Sequence, residues 1–259
     1  MHRMIRRTGL GLLVALALAV TGCAGGEGGN PDLGGPGQAA DPKLALVGSA
    51  DALTQESFKM EMSMGDLMSA TGAMDPAAGT GSVSMSIEAE GMAMNIETIF
   101  TETEGWISLG EMGTLLGVQT EWMHIDQTRL PEGGFMGVQP GETDLANTAE
   151  LLQGLGTVRQ VDEHTFEGEI DVTKGRSDLL DEEMVAAMGE DATTLPFTAT
   201  IDDQGRLTSM VIDFPAMPDF PAQSMEIRYF DFGTPVEVTP PAADQVSEMP
   251  AEFYQMFQG

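Results

Sequence analysis

The sequence predicts an α+β fold dominated by an antiparallel sheet, with roughly ten strands and three helices in one continuous domain over residues 41–259. Two patterns predict it. Apolar residues recur with a period of two along most of the chain, giving strands one apolar and one solvated face, the antiparallel habit. Clusters of Gly, Pro and Asp interrupt these runs at short intervals, as hairpin connections require.

Asp41 is a good N-cap and Pro42 suits the first helical position, so a short amphipathic helix is expected over 43–54, with Leu46, Ala50 and Leu53 on its apolar stripe. Phe58, Met60, Met62 and Met64 then alternate with Lys59, Glu61 and Ser63 as a strand. Residues 65–79, containing Gly, Ala and Pro, read as a loop. Val83, Met85, Ile87 and Ala89 oppose Ser82, Ser84, Ser86, Glu88 and Glu90. After a turn at Gly91, Met92, Met94, Ile96, Thr98 and Phe100 oppose Asn95, Glu97 and Thr101. Two short aromatic strands follow, 105–109 around Trp106 and 121–126 around Trp122 and His124.

Residues 130–142 read as a Gly- and Pro-rich loop, and Thr143 can cap a helix over 144–154. A hairpin joins 157–161 to 165–173 through Asp162-Glu163-His164, with Phe166, Ile170 and Val172 facing inward. Ser177 caps a further helix over 178–188, striped by Leu180, Met184 and Met188 and stopped by Gly189. A second hairpin joins 197–201 to 206–214 through Asp202-Asp203-Gln204-Gly205, and a last strand carries Met225, Ile227 and Tyr229. The tail is Pro-rich from Pro240 and ends with Phe253, Met256 and Phe257 at helical spacing.

Ahead of the domain, Arg3, Arg6 and Arg7 precede the apolar run from Leu10 to Val20, which ends on Val20-Thr21-Gly22-Cys23. The basic cluster and apolar run are the parts of a secretory signal, too short for a membrane span of about 20 residues. The last four residues resemble a bacterial lipobox. That resemblance implies cleavage after residue 22 and a diacylglycerol on the sulfur of Cys23. Cys23 is the only cysteine, so an internal disulfide is ruled out and the lipobox supplies its role. Each buried CH₂ contributes about 0.8 kcal/mol, so two or three acyl chains anchor a protein stably. The expected location is the extracytoplasmic face of the cell membrane, with residues 23–40 as a flexible Gly-rich linker whose mean reach is roughly 20–25 Å.

Loss of the leader removes three of the eleven Lys and Arg residues, leaving 8 against 41 Asp and Glu, a net charge of −33. Such a surface repels nucleic acid, whose binding needs clustered cations. It also keeps the body of the protein off anionic headgroups. Twenty methionines accompany only two tryptophans and two tyrosines. Methionine is flexible and polarizable, and it serves both adaptable apolar surfaces and ordinary cores.

The order lipobox, linker, short helix, meandering strands, helix, hairpin, helix, hairpin and final strand resembles the actinobacterial lipoproteins of the LppX and LprG type, which share the LolA-like fold. Three phrases carry the resemblance: 155–172, from Leu155-Gly-Thr-Val to Glu-Ile-Asp-Val172; Leu195-Pro-Phe-Thr-Ala-Thr-Ile-Asp-Asp-Gln-Gly-Arg-Leu207; and Tyr229-Phe-Asp-Phe-Gly-Thr-Pro-Val-Glu-Val-Thr-Pro-Pro241. With the order of elements, the resemblance covers about 41–245. The resemblance implies an open, strongly curved antiparallel half-barrel with helices on its concave face. It further implies an apolar cavity for lipid or lipoglycan acyl chains, a role in carrying or presenting lipid between membrane and cell envelope, and an envelope transporter as a further partner.

The residues themselves are compatible with that expectation. An apolar sheet face broader than three short helices can cover must close on itself or enclose a cavity. The candidate lining is Met60, Met62, Met64, Val83, Met85, Ile87, Met92, Met94, Ile96 and Phe100; a filled core is the alternative for each. Two other functions share the pattern. One is a surface interaction or sensory lipoprotein without a ligand. The other is a copper-handling lipoprotein using Met60, Met62 and Met64, joined by Met92 and Met94, since thioethers suit Cu(I). The mature chain's histidines, His124 and His164, lie in a strand and a turn, and no Gly-x-Ser-x-Gly, Walker loop or dinucleotide fingerprint is present. No enzyme and no cofactor are expected.

Overall fold

The computed structural model describes residues 41–89, 92–126, 148–171, 173–174, 194–216 and 221–256. Cys23 with its leader and linker, the 130–142 loop, the 178–188 helix, Val172 and Phe257 lie outside the described residues.

The chain opens with α1 (Pro42–Ser49), running into a 3₁₀ turn at Ala50–Thr54. The Asp41 carboxylate accepts the Lys43 N–H at 3.0 Å, and Pro42 occupies the first turn, as the sequence predicts. Six strands follow: β1 (Phe58–Met64), β2 (Met68–Asp75), β3 (Thr80–Ala89), β4 (Met92–Phe100), β5 (Gly105–Ser108) and, after the short helix α2 (Gly110–Leu115), β6 (Trp122–Ile125). Then come α3 (Thr148–Leu151), a 3₁₀ turn, β7 (Leu155–Gln160), β8 (Thr165–Asp171), β9 (Thr194–Ile201), β10 (Leu207–Phe214) and β11 (Gln223–Phe230). The chain closes with β12 (Val246–Glu248) and α4 (Ala251–Met256).

All twelve strands form one open sheet in the order β12-β6-β5-β4-β3-β2-β1-β11-β10-β9-β8-β7. Every pairing is antiparallel except β12 with β6, so the sheet is mixed. β1 lies between β2 and β11 and joins two meanders, β1–β6 and β7–β11. These elements all belong to one unit, Ala40–Gly259.

Two expectations are corrected. Residues 65–79 are not a loop: 68–75 form β2, paired with β1 on one side and β3 on the other. Small residues hide this strand, and the packing explains them. A Cβ on Gly72 would stand 3.0 Å from Cγ of Met60, which fills that space. The Pro-rich tail also contributes a strand, β12, whose parallel pairing is a long-range event with no local signature.

Candidate functional site: the methionine-rich sheet face

Alternation places one side chain of every pair on the apolar face, and register aligns these into rows across the strands. Phe58, Met74, Gly81, Phe100, Gly105 and Ile125 form the first row, and all six are buried. Met60, Gly72, Val83, Thr98, Ile107 and Met123 form the second. Met62, Ala70, Met85 and Ile96 form the third; Met64, Met68, Ile87 and Met94 form the fourth.

Packing is tight at the first row. A Cβ on Gly81 would lie 2.4 Å from Sδ of Met74 and 2.6 Å from Cζ of Phe100, so those two side chains already occupy the groove over the glycine. The fourth row differs. Met64 is 9% exposed, but Met68, Ile87 and Met94 are half-buried. Burial therefore falls along the strands from the Phe58–Phe100 row to the Met64–Met94 row.

Burial also varies across the strands. One packed cluster joins α1, the following 3₁₀ turn, β1, β2 and β7–β11, including Leu46, Leu53, Phe166, Met210 and Ile227. A second joins Ile96, Ile107, Met123 and Ile125 to Phe253 and Tyr254 of α4. The two meet at β3. Its Met85 packs against both clusters, yet Val83, Met85 and Ile87 are each only half-buried.

The predicted lining thus divides. Met60, Met62, Ile96 and Phe100, at 2%, 6%, 6% and 1% exposure, are packed core, and Met64 stands at its border. Val83, Met85, Ile87 and Met94 remain partly open. Met92 pairs with Ala89, but its side chain lies outside the described residues. Met94 does not join the β1 methionines: β2 and β3 intervene, a separation of about 14 Å at 4.8 Å per strand. The residues opposite Met64 are Met68 and Met225, which alternation in β2 and β11 would have indicated had β2 been recognised.

The opposite face is polar and carries two charge clusters that sequence reasoning missed. His124 lies between two carboxylates, with Nε2 2.5 Å from Glu104 and Nδ1 3.2 Å from Glu248 of β12. Burial disfavours the imidazolium, but hydrogen bonding and charge from Glu104 and Glu248 outweigh it, raising the His124 pKa above its ordinary value. The side chains of Thr120 and Ser247 lie 2.6 Å apart, and Gln245 donates to Glu121, so β12 is held by side chains along its length. In the second cluster Arg206 donates to Asp202 and to Glu56 and lies 4.5 Å over the Phe232 ring. The Asp202 carboxylate also accepts the backbone N–H groups of Gln204 and Arg206, with Gly205 at φ 77°, so this part of the Asp-Asp-Gln-Gly-Arg phrase is a structural clamp.

No protein-family model matches the chain, and no curated protein matches it. Among the described residues no helix is long and apolar enough to cross a membrane, and no group of three or more His, Cys, Asp or Glu side chains is placed to hold a metal ion.

Proposed function

We propose that this chain is an acylated envelope lipoprotein of the LppX and LprG type, which holds hydrocarbon chains against the methionine-rich face of its sheet and carries or presents lipid between membrane and cell envelope. One observation carries the reading: two packed clusters meet at β3, and the apolar residues at that seam, Val83, Met85 and Ile87, are only half-buried. In a strongly acidic chain, half-buried aliphatic and thioether groups at the centre of a sheet are poised for an apolar ligand. Methionine suits the task because three rotatable bonds and a polarizable sulfur let one surface fit acyl chains of different shape.

The topology supports the same reading. Open sheets rarely exceed about ten strands without curling, and twelve strands favour the half-barrel with helices on its concave face. Side chains of α1 and α4 pack on the apolar side, consistent with that arrangement. The lipobox at Cys23 and the acidic surface support a tether through acyl chains rather than through charge.

Titration of the purified protein with a fluorescent fatty acid tests the reading. Saturable binding that unlabelled lipid displaces is the expected result. Absence of saturable binding would leave an anchored interaction or sensory protein on the same sheet.

A further inference from the structure

The fourth row of the apolar face concentrates sulfur at its centre. Register sets Met68 of β2 opposite Met64 of β1, and Met64 opposite Met225 of β11. These three methionines therefore stand in one row on consecutive strands, β2-β1-β11. Ile87 of β3 and Ile212 of β10 continue the row on either side, so aliphatic side chains serve where packing alone is asked for. Opposed residues have Cβ atoms about 4.5–5.5 Å apart, and methionine has three rotatable bonds, so three such side chains can converge on one point. Met64 and Met225 belong to the first packed cluster, and Met68 packs against it.

The row lies at the rim of the sheet. Met64 ends β1 and Met68 begins β2, with only the turn Gly65-Asp66-Leu67 between them. Gly65 at φ 52° makes the turn, and the Leu67 N–H donates to the Met64 carbonyl at 3.0 Å. The hairpin thus holds two of the methionines side by side, and β11 supplies the third. Exposure rises across the row from 1% at Met225 through 9% at Met64 to the half-buried Met68. One side is enclosed and the other open to solvent, as entry and retention of a small ligand require. Met94 is excluded, because β3 with Ile87 separates its strand from β2.

We infer that Met64, Met68 and Met225 form a thioether site for a soft monovalent cation, Cu(I), at the rim of the apolar face. Thioether sulfur is a soft, neutral donor that suits Cu(I), whereas Ca²⁺ and Mg²⁺ require oxygen ligands. Cys23 is the only thiol in the chain, so methionine is its main source of soft donors. The strongly acidic surface raises the local concentration of cations in general, and the donor set selects among them. Cu(I) exchanges weakly held ligands for the three sulfurs and leaves in the same oxidation state, so no electron is transferred. The site shares a face with the lipid-carrying reading and does not depend on it.

The test uses the mature chain with Cys23→Ser, which removes the thiol that would otherwise take the ion, labelled with ¹³C at the methionine methyl groups. Ag(I), a redox-stable stand-in for Cu(I), is titrated in chloride-free buffer and followed by NMR. The expected result is that the methyl signals of Met64, Met68 and Met225 shift together and saturate at about one equivalent. Met64→Leu, Met68→Leu and Met225→Leu assign the signals, and leucine nearly conserves the volume of methionine, so the fold is kept. Each should weaken binding by about tenfold or more, the loss that follows from removing even a group outside a ligand set. Met94→Leu should leave binding unchanged. A thioether has no proton to lose, so affinity should be equal at pH about 5.5 and about 7.5. Shifts spread over all the methionines without saturation would overturn the proposal, as would Met94→Leu weakening binding as much as Met64→Leu. Loss of binding at the lower pH would assign the ion to His124 or His164 and overturn it too. Anaerobic competition with a chromogenic chelator repeats the comparison with Cu(I) itself, and failure of the Cys23→Ser chain to take Cu(I) would equally refute the site.

Discussion

Gly81 and Val83 lie two residues apart on the same face of β3, and they should respond oppositely to added bulk. In Gly81→Ala the new methyl would meet Sδ of Met74 at 2.4 Å, Cζ of Phe100 at 2.6 Å and the Ala73 carbonyl oxygen at 3.0 Å. Met74 and Phe100 are 0% and 1% exposed, so neither has free volume to retreat into. Overpacking of this kind costs about 1–3 kcal/mol. For a domain of this size that is a loss of roughly 2–12 °C in Tm. Val83 belongs to the half-buried seam, and Val83→Phe should change stability by no more than about 0.5 kcal/mol. It should instead exclude ligand. The larger ring takes the room of about two methylenes, worth about 0.8 kcal/mol each. That corresponds to a roughly 15-fold weaker affinity for a fatty acid. Urea denaturation followed by fluorescence of Trp106 and Trp122, beside fluorescent fatty-acid titration, measures both quantities. If Val83→Phe proved as destabilising as Gly81→Ala, the seam would be packed solid and the reasoning refuted.

Three further predictions follow from the polar face and the tail. Because the His124 pKa is raised on folding, its pairing with Glu104 and Glu248 stabilises fully below the ordinary imidazole pKa and is lost as pH rises through the folded value. His124→Gln should therefore be more destabilising at pH about 5.5 than at about 8.5, and an equal deficit by urea denaturation at both would contradict the assignment. Arg206→Ala removes the donor that joins Asp202 to Glu56 and should cost about 1.5–3 kcal/mol in the same assay, with Arg206→Lys recovering only part, because lysine cannot reproduce the guanidinium fork. Phe253→Ala, which empties a 5%-exposed position in the second cluster, should lower stability by about 3–5 kcal/mol. A loss below about 1 kcal/mol would show that α4 is not part of the fold's core.

Much of the sheet was legible because its face is written in alternating residues. β1, with burial alternating from Phe58 to Met64, and the Asp41 cap of α1 are fixed by chemistry within a few positions of each residue. β2 was not legible, since Ala70 and Gly72 carry little hydrophobic signal, and their smallness answers to Met60 on a neighbouring strand. Omitting β2 also misplaced Met94 beside the β1 methionines. α2 escaped notice because it is six residues long, starts at Gly110 with φ 54° and has no side-chain cap. The site was legible as a stripe of apolar residues but not as a graded surface. The difference between Phe100, packed against Gly81, and Met94, half-buried, depends on rows of residues brought together by register. Likewise Glu104 precedes β5 and meets His124 of β6 across the β5–β6 pair, and only the parallel pairing of β12 with β6 brings Glu248 to them.

The most direct measurement is native mass spectrometry, with lipid extraction, of the protein purified from its own membrane. The expected result is a protein carrying acyl groups on Cys23 together with a non-covalent lipid, the latter depleted in Val83→Phe. A protein with no lipid beyond the covalent modification, unchanged by that substitution, would contradict it.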